Sequence, residues 1–385
     1  MEHTVHINPD KQTVAQILPA MESGGVERDV FHTAIAIRDA GFNSVVISEG
    51  GVLAERLKRH GVTHITLPVA SKNPLIMYAN KFAIERAIKK YGIKIIHARS
   101  RAPAYSAYWA AKSSGVKLIT TFHGCYKLGM LGLKRKYNGI MAKGDVVTAV
   151  SDFVKNYVVN NYPIAAEEVK VIKDGVDLET FSPEKVSMER RLKTLDDFGV
   201  DGGKKIILLP SRMTAIKGHD MFIKAVAELA KRRDDFVCVL MGKAKENYRQ
   251  KIIAMTEKYG LQKFVRLMGT FNDISAAYIC SDIVVSSTIV PEAFGLTIAE
   301  AQAMGRIVVA PDFGGTAEIV HDGVDGFLYK IADVKALEKA LDTALSLDYD
   351  RRQIISTKAV DNIKNNFTIN RTSAETVELY RSVLR

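Results

Sequence analysis

The feature that most limits the possible folds of this chain is a regular alternation of short apolar runs with longer helical patterns. The alternation begins again at about residue 204, after a charged stretch at residues 184–193. Strands that alternate with helices form parallel sheets covered by helices on both faces. About ten strands are too many for one sheet of ordinary size, so we expect two doubly wound α/β domains. The predicted strands are residues 43–48, 63–69, 93–99, 117–122, 145–150, 204–211, 236–242, 264–269, 282–287 and 306–312.

The domain boundaries follow from where the pattern restarts. We predict a first domain at residues 1–185, a second at 186–365, and a terminal helix at 366–385. Parallel sheets of this kind bind ligands outside the carboxyl ends of their strands, so we expect an interdomain cleft that holds the functional site. A single eight-stranded barrel is the alternative α/β arrangement. It is disfavoured by the length of 385 residues, the number of strands and a change of charge midway.

The net charge of +11 is concentrated in the first half of the chain. Residues 1–174 contain 24 Lys and Arg against 14 Asp and Glu, whereas the remainder contains 30 against 29. This asymmetry predicts an anionic partner for the first half. Nucleic acid is not expected, because the basic residues are not interleaved with stacking aromatics and no nucleic-acid-binding motif is present. We expect an anionic membrane surface or an anionic lipid-linked acceptor.

Residues 125–143 are one candidate for membrane contact, because apolar residues there precede Lys134, Arg135 and Lys136. A loop followed by a core helix with a solvated basic edge is the alternative interpretation. No apolar run approaches 18 residues, so no transmembrane helix is predicted. The three cysteines are spaced unlike metal ligands and are expected to be free thiols in a reducing cytoplasm. We expect a cytoplasmic location. Peripheral contact with the cytoplasmic face of the inner membrane is compatible with it.

The most informative stretch is Pro-Glu-Ala-Phe-Gly-Leu-Thr-Ile-Ala-Glu at residues 291–300. It places Glu292 and Glu300 eight residues apart around Gly295, at the start of an apolar helix. A glycine-containing loop that opens a helix turns backbone N–H groups toward an anion. Glu292 is predicted in the loop and Glu300 about one turn inside the helix. This layout suits a ligand with a central phosphate and hydroxyl-rich groups at both ends, such as a nucleotide-sugar.

Two other loops add candidate anion-binding groups. Arg212 ends the first strand of the second domain, and Lys217 follows five residues later. Two cations at the carboxyl edge of a sheet are well placed to neutralise a diphosphate, although solvated surface charges remain the alternative. Gly24 and Gly25 follow the first strand and open a helix, where glycines permit close approach of a phosphate or simply form a tight turn.

Three candidate residues lie at strand ends of the first domain. His123 directly follows a buried strand, and a structural or a catalytic role is about equally expected. Arg99 and Arg101 follow another strand and are candidates for binding the anionic part of an acceptor; surface charges are the alternative. No pattern of paired Asp residues indicates a divalent metal, so we expect neither a metal ion nor a cofactor.

Taken together, these motifs resemble glycosyltransferase family 4, whose GT-B architecture consists of two facing Rossmann-like domains. The resemblance covers nearly the whole chain and preserves the order of the family's motifs. Asp174 departs from the family pattern, which usually has Asn before Gly-Val, but Asp retains the turn chemistry. The matching residues are Gly24-Gly25, Thr121-Phe122-His123-Gly124, Val150-Ser151, Gly175-Val176-Asp177, Arg212, Lys217-Gly218, Gly269, Pro291-Glu292-Ala293-Phe294-Gly295, Glu300-Ala301, Met304-Gly305, Gly314-Gly315 and Glu318.

The resemblance implies retaining, metal-independent sugar transfer from a UDP- or GDP-linked donor, and a C-terminal helix that returns to the first domain. It assigns diphosphate binding to Arg212 and Lys217, helped by backbone N–H groups at residues 294–296. It assigns the ribose to Glu300 and the donor sugar to Glu292 and His123. The implied residues are His123, Glu292, Arg212 and Lys217 for catalysis, and Gly24, Gly25, Phe294, Gly295, Leu296 and Glu300 for donor binding.

The leading functional interpretation is a transferase that builds a cell-envelope polysaccharide or lipopolysaccharide on a glycan or lipid-linked acceptor. A sugar-nucleotide epimerase or a phosphorylase would use a phosphate site in a similar fold. A non-catalytic glycan-binding or partner-binding module is the alternative from another class, and the set of Arg212, Lys217, Glu292 and Glu300 argues against it. A nicotinamide dehydrogenase is disfavoured because the dinucleotide fingerprint is missing.

Overall fold

The computed structural model describes residues 8–129, 132–200 and 202–385, and its chain divides into two compact units. The first unit comprises the described residues up to Gly175 together with Ile369–Arg385, and the second comprises Val176–Thr368. The division therefore falls near residue 175 rather than at the predicted residue 185. The intervening residues pack in the second unit, where the Val176 N–H donates to the Phe367 carbonyl (2.8 Å) and Phe181 contacts Tyr278.

The first unit is built on a seven-stranded parallel sheet with the strand order 3-2-1-4-5-6-7. Its strands are β1 (Thr13–Ile17), β2 (Asn43–Ser48), β3 (Thr63–Thr66), β4 (Ile93–Ala98), β5 (Lys117–Phe122), β6 (Val146–Ala149) and β7 (Val169–Val171). Its helices before residue 175 are α1 (Gly25–Asp39), α2 (Val52–Arg59), α3 (Pro74–Tyr91), α4 (Arg101–Ser114), α5 (Leu133–Asn138) and α6 (Asp152–Asn161). The central strands are buried along their length, as expected where helices cover both faces of a sheet.

The second unit contains a six-stranded parallel sheet with the order 10-9-8-11-12-13. Its strands are β8 (Lys205–Pro210), β9 (Phe236–Met241), β10 (Val265–Leu267), β11 (Ile283–Val285), β12 (Ile307–Pro311) and β13 (Phe327–Tyr329). Its helices are α7 (Met188–Phe198), α8 (His219–Leu229), α9 (Glu246–Lys258), α10 (Ile274–Ile279), α11 (Leu296–Ala303), α12 (Val334–Leu345) and α13 (Tyr349–Asn366). Together the two sheets confirm the predicted pair of doubly wound α/β domains.

The last helix, α14 (Ile369–Leu384), belongs to the first unit and packs on α1. Its apolar face, which includes Val377, Leu379 and Tyr380, joins a buried cluster with Val14 and Ile95. The return of the C-terminal helix to the first unit, which the family resemblance implies, is therefore present.

Local sequence signals explain where many helices begin and end. Ser151 and Asp333 each precede a helix and accept a hydrogen bond from a backbone N–H in its first turn. Asn73 caps α3 in the same way, with Pro74 at the first helical position. Gly92 ends α3 in the left-handed conformation that glycine adopts without strain. These signals set the bounds of α3, α6 and α12.

None of the helices described in the structure is both long and apolar enough to cross a bilayer.

Candidate active site

In the second unit, the loop after β8 brings Lys217 against the end of β11. Arg212 is exposed near the start of this loop, and Lys217 lies on the short 3-10 turn Ala215–Lys217. Gly218 follows with φ of +66°, and a Cβ there would lie 1.9 Å from the Ser287 carbonyl oxygen. The Ser287 hydroxyl donates to the Lys217 carbonyl (2.8 Å). The loop is therefore held at a distance that only glycine permits.

Lys217 and Glu292, 75 residues apart in sequence, form an ion pair in the structure. The Lys217 side chain is 24% exposed and that of Glu292 is 15% exposed. Both charges are therefore partly removed from water while still accessible to a ligand. Because each is the other's counterion, an anionic ligand that binds Lys217 would release the carboxylate of Glu292.

The backbone of Glu292 is fixed by the turn at Gly314 and Gly315, two of the residues that match the family's motifs. The Gly315 N–H donates to the Glu292 carbonyl (2.8 Å), and Glu292 forms a β-bridge with Gly314. Gly314 has φ of +79°, and a Cβ there would lie 2.7 Å from the Glu292 carbonyl oxygen. The paired glycines directly after β12 were the available signal for this support. Their role is to hold Glu292 in position.

Helix α11 begins immediately after Gly295, which has φ of +108°. A Cβ at Gly295 would lie 2.6 Å from Thr316 Cγ2, so the helix start packs tightly against the Gly315–Glu318 turn. Phe294 is buried and contacts Phe367 edge-on, at 5.8 Å between ring centroids. The first N–H groups of a helix lack intrahelical acceptors, so Leu296 and its neighbours form an anion-favouring end next to Glu292.

Glu300 lies one turn inside α11, as its spacing from Glu292 predicts. The Tyr278 hydroxyl donates to Glu300 Oε2 (2.9 Å), which fixes one carboxylate oxygen. Tyr278 itself is buried on α10 and packs against Phe181. Sequence reasoning did not identify Tyr278 as a partner, because nothing in its local pattern separates it from a core aromatic residue.

The position of Arg99 in the first unit agrees with neither interpretation of it, an acceptor-binding residue or a surface charge. Arg99 is buried, and its Nε and Nη2 donate to Gln16 Oε1 at 3.1 and 2.7 Å. Its Nη1 lies 3.1 Å from Asp29 Oδ2. Arg99 is therefore not a surface cation, and its guanidinium is already engaged by buried groups of its own unit. Arg101 is half-buried, donates to Asn138 Oδ1 (2.9 Å) and stacks over the Tyr126 ring at 4.1 Å.

His123 lies beside this buried pair, and neither of its buried ring nitrogens has a hydrogen-bond partner among the residues that the structure describes. Burial, with a further contribution from the positive charge of Arg99, lowers the pKa of His123 to about 4, while Asp29 opposes the shift. The imidazole is therefore neutral near pH 7. It retains one N–H to donate and one nitrogen to accept with.

Asp174 completes a polar cluster with Asp29 and His123, and ligand atoms of all three lie within 4.8 Å of one another. Burial raises the pKa of Asp174 well above its usual range, and the negative charge of Asp29 adds to the effect. These three residues line a cavity of about 10 Å³ together with Arg99. That volume is sufficient for one water molecule.

Further buried polar residues lie next to this cluster, and sequence reasoning did not identify them. His97 contacts the Tyr380 hydroxyl through Nδ1 and the Thr121 hydroxyl through Nε2, both at 2.6 Å. Asp29 was also missed, although an acidic residue within the apolar face of an amphipathic helix was a usable signal. Tyr380 could not be inferred, because it lies 283 residues from His97 in the chain.

Gly24 and Gly25 lie exposed at the start of α1, with Gly24 in an extended conformation at φ of −76°. A Cβ at Gly24 would meet the flexible side chain of Glu27 rather than backbone. Their backbone conformation does not itself demand glycine. The candidate residues thus divide between the units: Gly24, Gly25, Arg99, Arg101 and His123 in the first, and Arg212, Lys217, Glu292, Phe294, Gly295, Leu296 and Glu300 in the second.

Comparison with known proteins matches both units. Residues 191–360 match the family model described as glycosyl transferases group 1, and residues 23–180 match that of glycosyltransferase family 4. A glycosyltransferase from Rickettsia africae has a similar crystal structure, with a TM-score of 0.89 and 36% sequence identity. That similarity covers 98% of this chain and 99% of the Rickettsia chain.

Two further proteins place the chain among more distant relatives. Anabaena Alr3699/HepE, whose structure was solved in complex with UDP and glucose, has a TM-score of 0.82 and 21% identity, covering 96% of this chain and 100% of its own. Spore coat protein SA of Bacillus subtilis is 25% identical over 191 residues, which are 47% of this chain and 50% of that protein. The two family models and the near-complete match to the Rickettsia glycosyltransferase establish that the chain belongs to glycosyltransferase family 4 and is a GT-B glycosyltransferase.

Proposed function

We propose that this enzyme transfers a sugar from a UDP- or GDP-linked donor to a glycan or lipid-linked acceptor of the cell envelope, with retention of configuration and without a metal ion. The observation that carries the proposal is the Lys217–Glu292 ion pair at the start of α11. It brings a cation from the loop after β8 against a carboxylate that lies just before a helix N-terminus. Those are the groups that a sugar diphosphate requires.

The diphosphate is the natural ligand of the cations in this proposal. Arg212 binds two phosphate oxygens, Lys217 adds a second positive charge, and the amides at residues 294–296 complete the set. Binding of the diphosphate to Lys217 frees Glu292, which then accepts hydrogen bonds from hydroxyls of the donor sugar. Glu300, which the Tyr278 hydroxyl holds in place through Oε2, accepts a hydrogen bond from the ribose.

The chemistry follows from where charge develops. As the bond between the anomeric carbon and the diphosphate oxygen breaks, negative charge grows on the phosphate, and preorganised cations and N–H groups stabilise it. The sugar becomes oxocarbenium-like, a state that nearby carboxylate and neutral imidazole groups favour. The acceptor hydroxyl then attacks from the face that the phosphate leaves and gives its proton to a phosphate oxygen. A covalent sugar trapped on Glu292 would contradict this step.

We assign His123 a contact with the donor sugar and Gly24-Gly25 an approach to the diphosphate. Both assignments rest on the family motifs and on the neutral state of His123. Arg99 is left out of the proposed acceptor site because its guanidinium is engaged by Gln16 and Asp29. Arg101 remains a candidate for the anionic part of the acceptor.

Saturation-transfer NMR with UDP-, GDP- and ADP-sugars tests this function. We expect one nucleotide class to bind, with weaker binding in both Arg212→Ala and Glu300→Ala. Lys231→Ala is the matched control, because Lys231 lies in the same unit and pairs only with Glu228 in the contacts described. Binding that is equal in wild type, Arg212→Ala and Glu300→Ala would contradict the proposed donor site.

A further inference from the structure

Helix α3 of the first unit has two apolar faces, of which only one is buried in the fold. The inner face carries Met77, Ile84 and Ile88. On the outer face, Leu75, Tyr78 and Phe82 are 80%, 54% and 44% exposed. Their spacing of three and four residues aligns them in one stripe. A surface helix normally carries polar residues on its outer face, so this stripe requires an explanation.

The stripe continues into an aromatic surface across α3, α4 and α5. Tyr78 contacts Phe82 (5.1 Å between ring centroids) and Trp109 (6.3 Å). Tyr105 bridges Trp109 (5.8 Å) and Tyr137 (5.2 Å). Trp109, which lies on α4 next to α3, is the single tryptophan of the chain and is half-buried. Half-exposed Trp and Tyr rings beside exposed aliphatic groups are typical of surfaces that enter the headgroup region of a bilayer.

The charges around this surface are mostly positive, with Lys81 paired to Glu85 (3.2 Å). Residues 71–143, which contain α3, α4 and α5, include 15 Lys and Arg residues and a single acidic residue, Glu85. Lys81 places its ammonium 4.6 Å from the Phe82 ring centroid and 5.6 Å from that of Tyr78. Lys72 is exposed just before the helix begins. The apolar stripe is thus embedded in a strongly cationic region.

We propose that the stripe of Leu75, Tyr78 and Phe82, with Trp109 beside it, inserts into the headgroup region of an anionic lipid bilayer. A bilayer supplies both complements at once, an apolar layer for the stripe and negative headgroups for the cations. A second copy of the chain would oppose like charges across the contact. The inference rests on the proposed lipid-linked acceptor, and it moves the expected membrane contact from Lys134–Lys136 to α3.

The second unit offers a matched control in α7. Met188, Leu192 and Leu195 also form an exposed stripe at helical spacing, with exposures of 65%, 60% and 38%. Helix α7 carries as many acidic as basic residues, so it lacks the cationic surroundings of α3. If exposed apolar groups alone produced vesicle binding, both stripes would contribute.

The test is flotation of the full-length protein with vesicles of phosphatidylcholine, or of equal parts phosphatidylcholine and phosphatidylglycerol. We expect wild type to float with the mixed vesicles and not with phosphatidylcholine alone. The combined changes Leu75→Ser, Tyr78→Ser and Phe82→Ser lower the vesicle partition coefficient about tenfold or more. The changes Met188→Ser and Leu192→Ser leave it unaltered. Circular dichroism melting verifies that both variants are folded.

Two results would overturn the proposal. One is vesicle binding by the α3 variant that equals that of wild type. This result counts against the proposal whatever the effect of neutralising Lys134, Arg135 and Lys136. The other is a wild-type protein that is dimeric and an α3 variant that is monomeric, with vesicle binding unchanged. That result would assign the stripe to contact with a second copy of the chain. Donor binding measured by NMR without vesicles separates the two proposals. Wild type that binds a nucleotide-sugar but no anionic vesicle contradicts only the membrane surface, and the reverse contradicts only the proposed donor.

Discussion

The two units share one architecture but differ in how far the charged side chains of their candidate sites are exposed to water. In the first, Arg99 and Asp29 are withdrawn from water beside a neutral His123 and a partly buried Asp174, around a cavity for a single water molecule. In the second, Arg212 is exposed, and Lys217 and Glu292 remain partly accessible. The difference indicates that Arg212, Lys217 and Glu292 are available to bind an ionic ligand, whereas the buried charges Arg99 and Asp29 mainly hold elements of the first unit together.

The largest expected effect is the loss of the buried cation in the first unit. Arg99→Met removes the counterion of Asp29, whose side chain is 6% exposed. Breaking a buried pair on one side costs about 3–5 kcal/mol, because the remaining charge is left without compensation. Chemical denaturation should show this loss in the free energy of unfolding. Asp29→Asn combined with Arg99→Met is the control, and it should recover part of the loss.

The next effect is on turnover and arises in the second unit. Lys217→Ala removes a positive charge that the proposal places on the leaving diphosphate. Removing one such stabilising group typically lowers kcat about 10²–10³-fold. The stability of this variant should change far less than that of Arg99→Met, because Lys217 is partly exposed. Nucleoside diphosphate release measures the rate, and a variant with wild-type turnover would contradict the role of Lys217.

Acid should destabilise the first unit through His123. Its folded pKa of about 4 lies below the ordinary value of 6.5, so the unfolded chain binds more protons between those pH values. The stability that the neutral imidazole contributes is therefore present above pH 6.5 and is lost as pH falls toward 4, on the order of 3 kcal/mol. His123→Gln should flatten this part of the profile.

The second unit supplies the comparison for that profile. Burial also lowers the pKa of His219 to about 4, so His219→Asn should remove a similar share of the acid sensitivity. Unfolding measured at pH 7 and pH 5 separates the contributions. A His123→Gln profile with the same slope as wild type would show that the ring is solvated in solution.

A last effect concerns Asp174 and has the opposite sign. Because its folded pKa is raised, the folded state holds its proton longer than the unfolded state, and stability declines as pH rises from 3.8 through the raised value. Asp174→Asn removes the ionisable group while keeping its shape. The variant should melt at a higher temperature than wild type at pH 8, with the advantage shrinking at pH 5. A lower melting temperature at both pH values would indicate that the carboxylate form is stabilising.

The sequence predicted the architecture because strand and helix periodicity is local. It missed β7 and β13, the last strands of the two sheets, which have three residues each. It did not set bounds for β1, where Gln16 interrupts an apolar run and donates to the Val30 carbonyl at 3.2 Å.

The site was predicted unevenly for a related reason. Lys217 and Glu292 were each identified from their loops, but their pairing required the three-dimensional structure. Arg99 was misplaced because its position after a strand does not show where the side chain points, and its partner Asp29 lies 70 residues earlier in the chain. Local pattern thus identifies residues with suitable chemistry, whereas long-range contacts decide which of them face a ligand.

The central claim is that cations of the second unit bind the donor diphosphate. Isothermal titration calorimetry of UDP, GDP and ADP with wild type, Lys217→Ala and the control Lys231→Ala tests it most directly. We predict that one nucleotide binds wild type and the control with equal affinity, and Lys217→Ala at least tenfold more weakly, the loss expected when one charge-assisted phosphate contact is removed. Equal affinity in all three proteins would contradict the account.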